Sequence, residues 1–197
     1  MTRLALLLLF LAASAAAQPG AIVLVAKPGL PDPNFSETVV LVTRGSEGNP
    51  IGVVLNRPTK LRVRDIAPQF PGAQNYAPPV YAGGPVMREV LVALYATSTP
   101  PEHAAFEVLS GVYLTLHPAN IEALLAAPPE RARIYAGFSG WAPEQLEAEI
   151  ESGSWYVLRA SDALLFRADT TDMWSELVAK LGGGRAGREL ATAVAAR

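Results

Sequence analysis

The chain has 197 residues, half of them apolar and 17% charged, with a formal net charge of −2. Such a balance is no electrostatic footprint for nucleic acid. With no cysteine, both a disulfide framework and a lipoprotein anchor are excluded, so the fold rests on its core alone.

At the N-terminus, Arg3 precedes an apolar run over residues 4–11, and Ala15 with Ala17 forms an A-x-A signal before Gln18. This is the pattern of a secretory signal peptide. The apolar stretch is shorter than the roughly 20 residues a bilayer core requires, which argues for cleavage after Ala17 rather than a retained span. The expectation is therefore a leader over residues 1–17 and one domain over residues 18–197, periplasmic or secreted, with no stable membrane span after processing. Removing Arg3 leaves 15 Lys and Arg against 18 Asp and Glu, a net of −3.

Residues 21–26 (AIVLVA) form a continuous β-branched run stopped by Pro28 and Gly29, the mark of a buried strand. Residues 38–43 (TVVLVT) and 51–56 (IGVVLN) make a second pair. The connector between them carries Gly45, Gly48, Asn49 and Pro50, which suits an antiparallel hairpin. Further strands are expected over residues 80–82, 90–96 and 106–116, the last turning near Ser110 and Gly111. Residues 118–127 place Ile121, Leu124 and Leu125 on one face of a helix between prolines. A short acidic helix is expected over residues 143–151, with Pro143 at its first position and Gly153 in the capping place. Residues 154–160 and 163–167 then read as a hairpin around Ser161 and Asp162. Beyond them Met173, Trp174, Leu177, Val178 and Leu181 give a helical stripe, and a peripheral helix is expected over residues 185–196.

Four blocks stand out: AKPGLPDPNFSETVVLV at 26–42, IGVVLNRP at 51–58, YAGGPV at 81–86 and GFSGWAPEQLEAEIESGSW at 137–155. In sequence, order and spacing they resemble the YqgE/AlgH family of bacterial proteins, across nearly the whole mature chain. The resemblance implies a single α/β (α+β) domain with a mixed, largely antiparallel sheet curled into a pseudo-barrel and flanked by helices. The family is largely uncharacterised. One branch is named for a role in transcriptional regulation of alginate synthesis, so the resemblance implies a transcription-linked regulator as the alternative to an exported protein.

Within these blocks, Asp32 or Asn34 can accept hydrogen bonds from nearby amides in a rigid turn, and Phe35 reads as a core anchor. Pro58 fixes the direction of Arg57, whose planar fork suits either a carboxylate or phosphate ligand or an internal acidic partner. Gly83, Gly84 and Pro85 read either as a tight turn or as a concave anion nest, with Arg88 just beyond. Residues 137–141 read as a glycine and aromatic loop: Gly137, Ser139, Gly140 and Trp141. If the two glycine segments converge, their amides, the start of the acidic helix and the Trp141 ring line one cleft for a small planar or anionic group or a peptide carboxyl end. On that reading, Trp141→Ala removes binding and leaves the fold intact.

Catalytic patterns fail. Gly137, Phe138, Ser139, Gly140 starts like a nucleophile elbow, but Trp141 stands where the pattern needs glycine, and His103 and His117 both precede Ser139. Ser139 reads instead as a helix-entry residue. Two histidines without cysteine give no metal signature, and the four glutamates at 144, 147, 149 and 151 read as a solvated acidic face. Gly182, Gly184 and Gly187 match G-x-G-x-x-G but follow a helix, so no dinucleotide cofactor is implied. The expected function is an exported, non-enzymatic binding protein, without metal or cofactor, whose partner is an unknown small molecule or protein; a hydrolase ranks third.

Overall fold

A computed structural model describes residues 20–44 and 48–183. The leader expected over residues 1–17, Gly45, Gly184, Gly187 and the helix expected over residues 185–196 lie outside these residues.

Among the described residues nine strands form one curled sheet: β1 (Ile22–Ala26), β2 (Val39–Arg44), β3 (Pro50–Val54), β4 (Tyr81–Ala82), β5 (Val86–Ala96), β6 (Phe106–Leu109), β7 (Val112–Thr115), β8 (Ala132–Gly140) and β9 (Trp155–Arg159). Their order is β6-β7-β5-β8-β3-β2-β1-β9, with β4 added beside β8. Every pairing is antiparallel except that of β4 with β8. The sheet bends until β6 approaches β2, but no hydrogen-bonded ladder joins them, so the barrel stays open.

Both faces of the sheet are covered, which is why β1 and β2 are written as unbroken apolar runs rather than as alternations. Val23, Val25, Val39, Leu41 and Tyr135 point into the curl, where α4 (Asp162–Leu165) and α5 (Met173–Gly182) bring Leu165, Met173, Leu177 and Leu181 against them. On the outer face, Leu24, Val40 and Val54 pack under Leu146 of α3 (Gln145–Glu151), with Trp141 and Trp155. Leu91, Ala93 and Ile134 are covered by Ile121, Leu124 and Leu125 of α2 (Pro118–Ala126) and by Val63 of α1 (Val63–Ile66).

Several local expectations are corrected. Residues 137–140 are the end of strand β8, not a loop: Gly140 pairs with Ile51 and Ser139 with Gly52. The β-branched and aromatic residues Ile134, Tyr135 and Phe138 suit that strand, which is buried from both faces. The acidic helix starts at Gln145, because Glu144 takes a left-handed φ of 64° and places Pro143 outside it. Its other end is as expected: Gly153, at φ 83°, donates to the Ile150 carbonyl while Ser154 donates to that of Glu149, closing a Schellman cap. The second arm of the hairpin expected at 163–167 is α4, where Leu165 donates to the Ser161 carbonyl in a single helical turn. Strand β5 starts at Val86, four residues early, because residues 87–90 bulge out of its ladder with β8. Helix α1 and a 3₁₀ turn at Ala73–Asn75 carry too few residues to show a period.

Candidate functional site

The blocks at 26–42 and 51–58 interlock. Asp32 Oδ1 accepts from the Asn34 amide at 2.8 Å, and the Asp32 carbonyl accepts from Phe35 and Ser36, forming the expected rigid turn. Arg57 then grips that turn from outside, donating to the carbonyls of Asn34 at 2.6 Å, Ser36 at 3.0 Å and Pro33 at 3.4 Å. Its partners are thus main-chain oxygens rather than an acidic side chain. Burial lowers the pKa of the guanidinium, and the charge of Asp32 acts in the opposite direction. Asn56 completes the clasp: its Oδ1 accepts from the Val39 amide at 2.8 Å and its Nδ2 donates to the Glu37 carbonyl at 2.9 Å. Glu37 is held there at φ 57°, a conformation a non-glycine residue takes up only under such constraint.

The two glycine segments do meet. Gly83 donates to the Ala136 carbonyl and accepts from the Val54 amide, both at 2.9 Å, so its main-chain groups are engaged in the sheet rather than presented to a ligand. A Cβ on Gly83 would lie 2.2 Å from the Gly137 carbonyl oxygen, so only glycine admits this approach. Gly137 has φ 71°, and a Cβ there would stand 2.8 Å from the Gly84 oxygen and 3.1 Å from Arg88 Cα. That positive φ faces a wide bulge: Val86 pairs with Phe138, but the next partners are Leu91 and Ala136, leaving residues 87–90 looped out of the ladder. At the bulge Met87 is forced to φ 44° and leaves 53% of its surface in solvent. Strain of this kind persists only where the surroundings impose it, and it concentrates at functional surfaces.

Beside the bulge opens a cavity of about 300 Å³ lined by Arg57, Gly84, Pro85 and Arg88, with Leu61, Val80 and Ala82 as its apolar wall. Asn34, Thr59 and Ala136 complete the lining, which contains no carboxylate. Arg88 is exposed and, among the described residues, enters no salt bridge. Sequence reading singled out Arg88 but missed Leu61, which is 48% exposed at the cavity mouth.

The remaining expected residues lie elsewhere. Ser139 is wholly buried, its hydroxyl donating to the Gly83 carbonyl at 3.2 Å, so it neither enters a helix nor stands free as a nucleophile. Gly140 sits at the far end of β8, and Trp141 is not part of the cavity: it is 4% exposed and stacks on Phe35 with centroids 5.8 Å apart. Phe35 meets Trp155 edge-on at the same distance. Both indoles donate to one carboxylate oxygen, Glu149 Oε2, each at 3.0 Å, while Glu149 Oε1 accepts from Gln145 at 2.9 Å. Glu149 is therefore a structural acceptor rather than part of a solvated face. Its spacing from Trp141 and Trp155 carried no signal, because neither tryptophan shares its helix. His103 and His117 stack 4.5 Å apart and nearly parallel, away from Ser139, and His117 Nδ1 accepts from the Ala119 amide at the start of α2.

Fold and site together define an α+β protein with an open, curled sheet and an arginine-lined cavity where two glycine segments cross. The AlgH-like family model matches residues 23–186, and the chain belongs to the YqgE/AlgH family. It is 34% identical over 170 residues to a UPF0301 protein of Thermobifida fusca, covering 81% of this chain and 85% of that one. A UPF0301 protein of Bacteroides thetaiotaomicron is 31% identical over 163 residues, covering 81% of each. Among solved structures, the solution structure of AlgH from Pseudomonas aeruginosa is similar at a TM-score of 0.68 and 26% identity, over 93% of this chain and 96% of that one. A crystal structure of a Corynebacterium diphtheriae protein is similar at a TM-score of 0.65 and 25% identity, over 83% and 86%.

Proposed function

We propose that the protein is an exported, non-enzymatic binding protein whose ligand presents an anionic group to the cavity at Arg57, Gly84, Pro85 and Arg88. The observation that carries this reading is a pair of arginines lining one hollow that holds no carboxylate. The two guanidinium groups play different parts. Arg57 is pinned by three carbonyls and is a fixed charge, whereas Arg88, on the bulge, is free to fold over an incoming anion. Exposed Leu61, with Val80 and Ala82 in the wall, favours a ligand with an apolar part beside its charge, either a small molecule or the carboxyl end of a protein segment. A hydrolytic reading gains nothing from the geometry, since the Ser139 hydroxyl is enclosed and engaged.

Export is supported by the leader pattern over residues 1–17. Native mass spectrometry of the protein from its own cells tests both parts at once. The expected result is a chain beginning at Gln18 with a co-purifying anionic mass that disappears in Arg88→Glu. An uncleaved chain recovered from the cytoplasm overturns export and favours the transcription-linked alternative. Titration with octanoate and with inorganic phosphate supplies the binding test in vitro: saturation by either that Arg88→Glu weakens at least tenfold supports the site, and no saturation by both refutes it.

A further inference from the structure

A second, larger hollow of about 350 Å³ lies on another part of the molecule, between α2 and the segment that leaves β5. Its floor is made by small residues one turn apart, Ala119 and Ala123 of α2 and Ala127 at its C-cap, and its opposite wall by Pro100 and Pro101. Prolines fix the backbone, and alanines leave room that larger side chains would fill, so the hollow is built into rigid elements rather than left by a loose loop.

Its lining includes two side chains that can accept hydrogen bonds, Asn120 and Glu102. Asn120 is 6% exposed and lines the hollow. Its Nδ2 ties the far wall down, donating to the His103 carbonyl at 3.1 Å, the Ala104 carbonyl at 3.3 Å and Thr115 Oγ1 at 3.1 Å. All the amide's donors are thereby engaged, and its Oδ1 accepts no hydrogen bond among the described residues. It is not among the sealed, unpartnered side-chain atoms of the described residues, and Asn120 lines the hollow. A carbonyl oxygen in that position is available to a ligand's donor. Glu102 adds a carboxylate at the exposed rim, and the hollow is lined by no lysine or arginine. Stacking on His117 holds the flat His103 ring beside it.

We infer that this hollow is a second ligand site, for a small organic cation that donates hydrogen bonds: an amidine, guanidine or amine carried on a flat apolar body. Asn120 Oδ1 and the Glu102 carboxylate receive the donors, and Pro100, Pro101 and the α2 alanines take the flat part. The preference is opposite in charge to that of the arginine-lined cavity, and this site stands on different residues, so either can fail without the other.

Benzamidine is the probe, followed by amide chemical shifts in the isotope-labelled protein. Saturable shifts confined to residues 95–103 and 119–127 are expected, with benzoate and benzyl alcohol at least fivefold weaker. Ala123 faces solvent, so Ala123→Leu fills the floor without touching the core and is expected to abolish binding. Glu102→Gln, also exposed, is expected to weaken it about threefold, the scale of one exposed charge pair. Benzoate binding as well as benzamidine, or binding that survives Ala123→Leu, overturns the assignment. Tighter binding of N-acetyl-arginine methylamide would replace the flat ligand by a partner's arginine side chain and overturn it equally, as would no shift with benzamidine.

Discussion

Replacing Glu149 by alanine removes one carboxylate and strands two buried donors. Trp141 and Trp155 are 4% and 3% exposed, and both indole N–H groups point at Glu149 Oε2 from 3.0 Å. A buried donor left without a partner costs about 1–3 kcal/mol. Glu149 itself is half-buried at the surface of α3, so water can follow the truncated side chain and the lower part of that range applies to each indole. The expected loss is about 2–4 kcal/mol, a large share of the roughly 5–15 kcal/mol that holds a domain together. Glu149→Gln keeps an oxygen for the indoles but sets an amide against Gln145, whose Nε2 now donates to Glu149 Oε1 at 2.9 Å. It is therefore expected to cost only about 1 kcal/mol. Urea unfolding followed by tryptophan fluorescence measures both variants, since Trp141 and Trp155 are two of the three tryptophans in the chain. An alanine variant within about 0.5 kcal/mol of the parent, the usual range for neutral surface substitutions, would refute the double acceptor.

Further outcomes follow from the same geometry. Gly137→Ala must hold φ 71° and place a Cβ 2.8 Å from the Gly84 oxygen; left-handed backbone and crowding together are expected to cost about 2–5 kcal/mol, and a melting temperature unchanged by circular dichroism would contradict the close crossing. Trp141→Ala, on the sequence reading a clean test of binding, is now expected to destabilise the fold by about 3–5 kcal/mol because the ring is core, and a variant as resistant to urea as the parent would place that ring elsewhere. Alkali should weaken the fold through Tyr76, whose pKa burial pushes up from 10.0 to about 12. The native state holds that proton more tightly than the unfolded chain, so its contribution, about 2–3 kcal/mol, is intact below pH 10 and is lost as pH rises towards 12. Burial pushes Tyr135 in the same direction. Equal urea midpoints at pH 9 and pH 11.5 would count against both.

What the sequence revealed depended on whether the controlling interaction was local. Residues 21–26 and 38–43 are read correctly because burial on both sheet faces leaves a continuous apolar run, and α5 because its stripe repeats every turn. The crossing of the two glycine segments was visible as two interruptions in strand-forming sequence. Its geometry was not, since Gly83 fits because Gly137 lies opposite it, and the bulge at residues 87–90 takes its shape from β8. Trp141 was misplaced for a similar reason. Beside two glycines it reads as a loop aromatic, but its position is set by a carboxylate on α3 and by Phe35 more than a hundred residues earlier. Arg57 reads in sequence as a fork for an anion or an acidic side chain, and nothing in its neighbourhood announces that its targets are carbonyls of residues 33, 34 and 36.

The placement of β1 bears on how such a chain comes together. It lies between β2, its immediate successor, and β9, so that Ile22 faces Val42 on one side and Arg159 on the other. The first of the described strands to be synthesised thus keeps one bare row of amides and carbonyls until β9 arrives. Closing that distant ladder is entropically slow, and the waiting edge is the kind that recruits neighbouring chains. A translation product ending short of residue 155 would be an aggregating species rather than a smaller working domain.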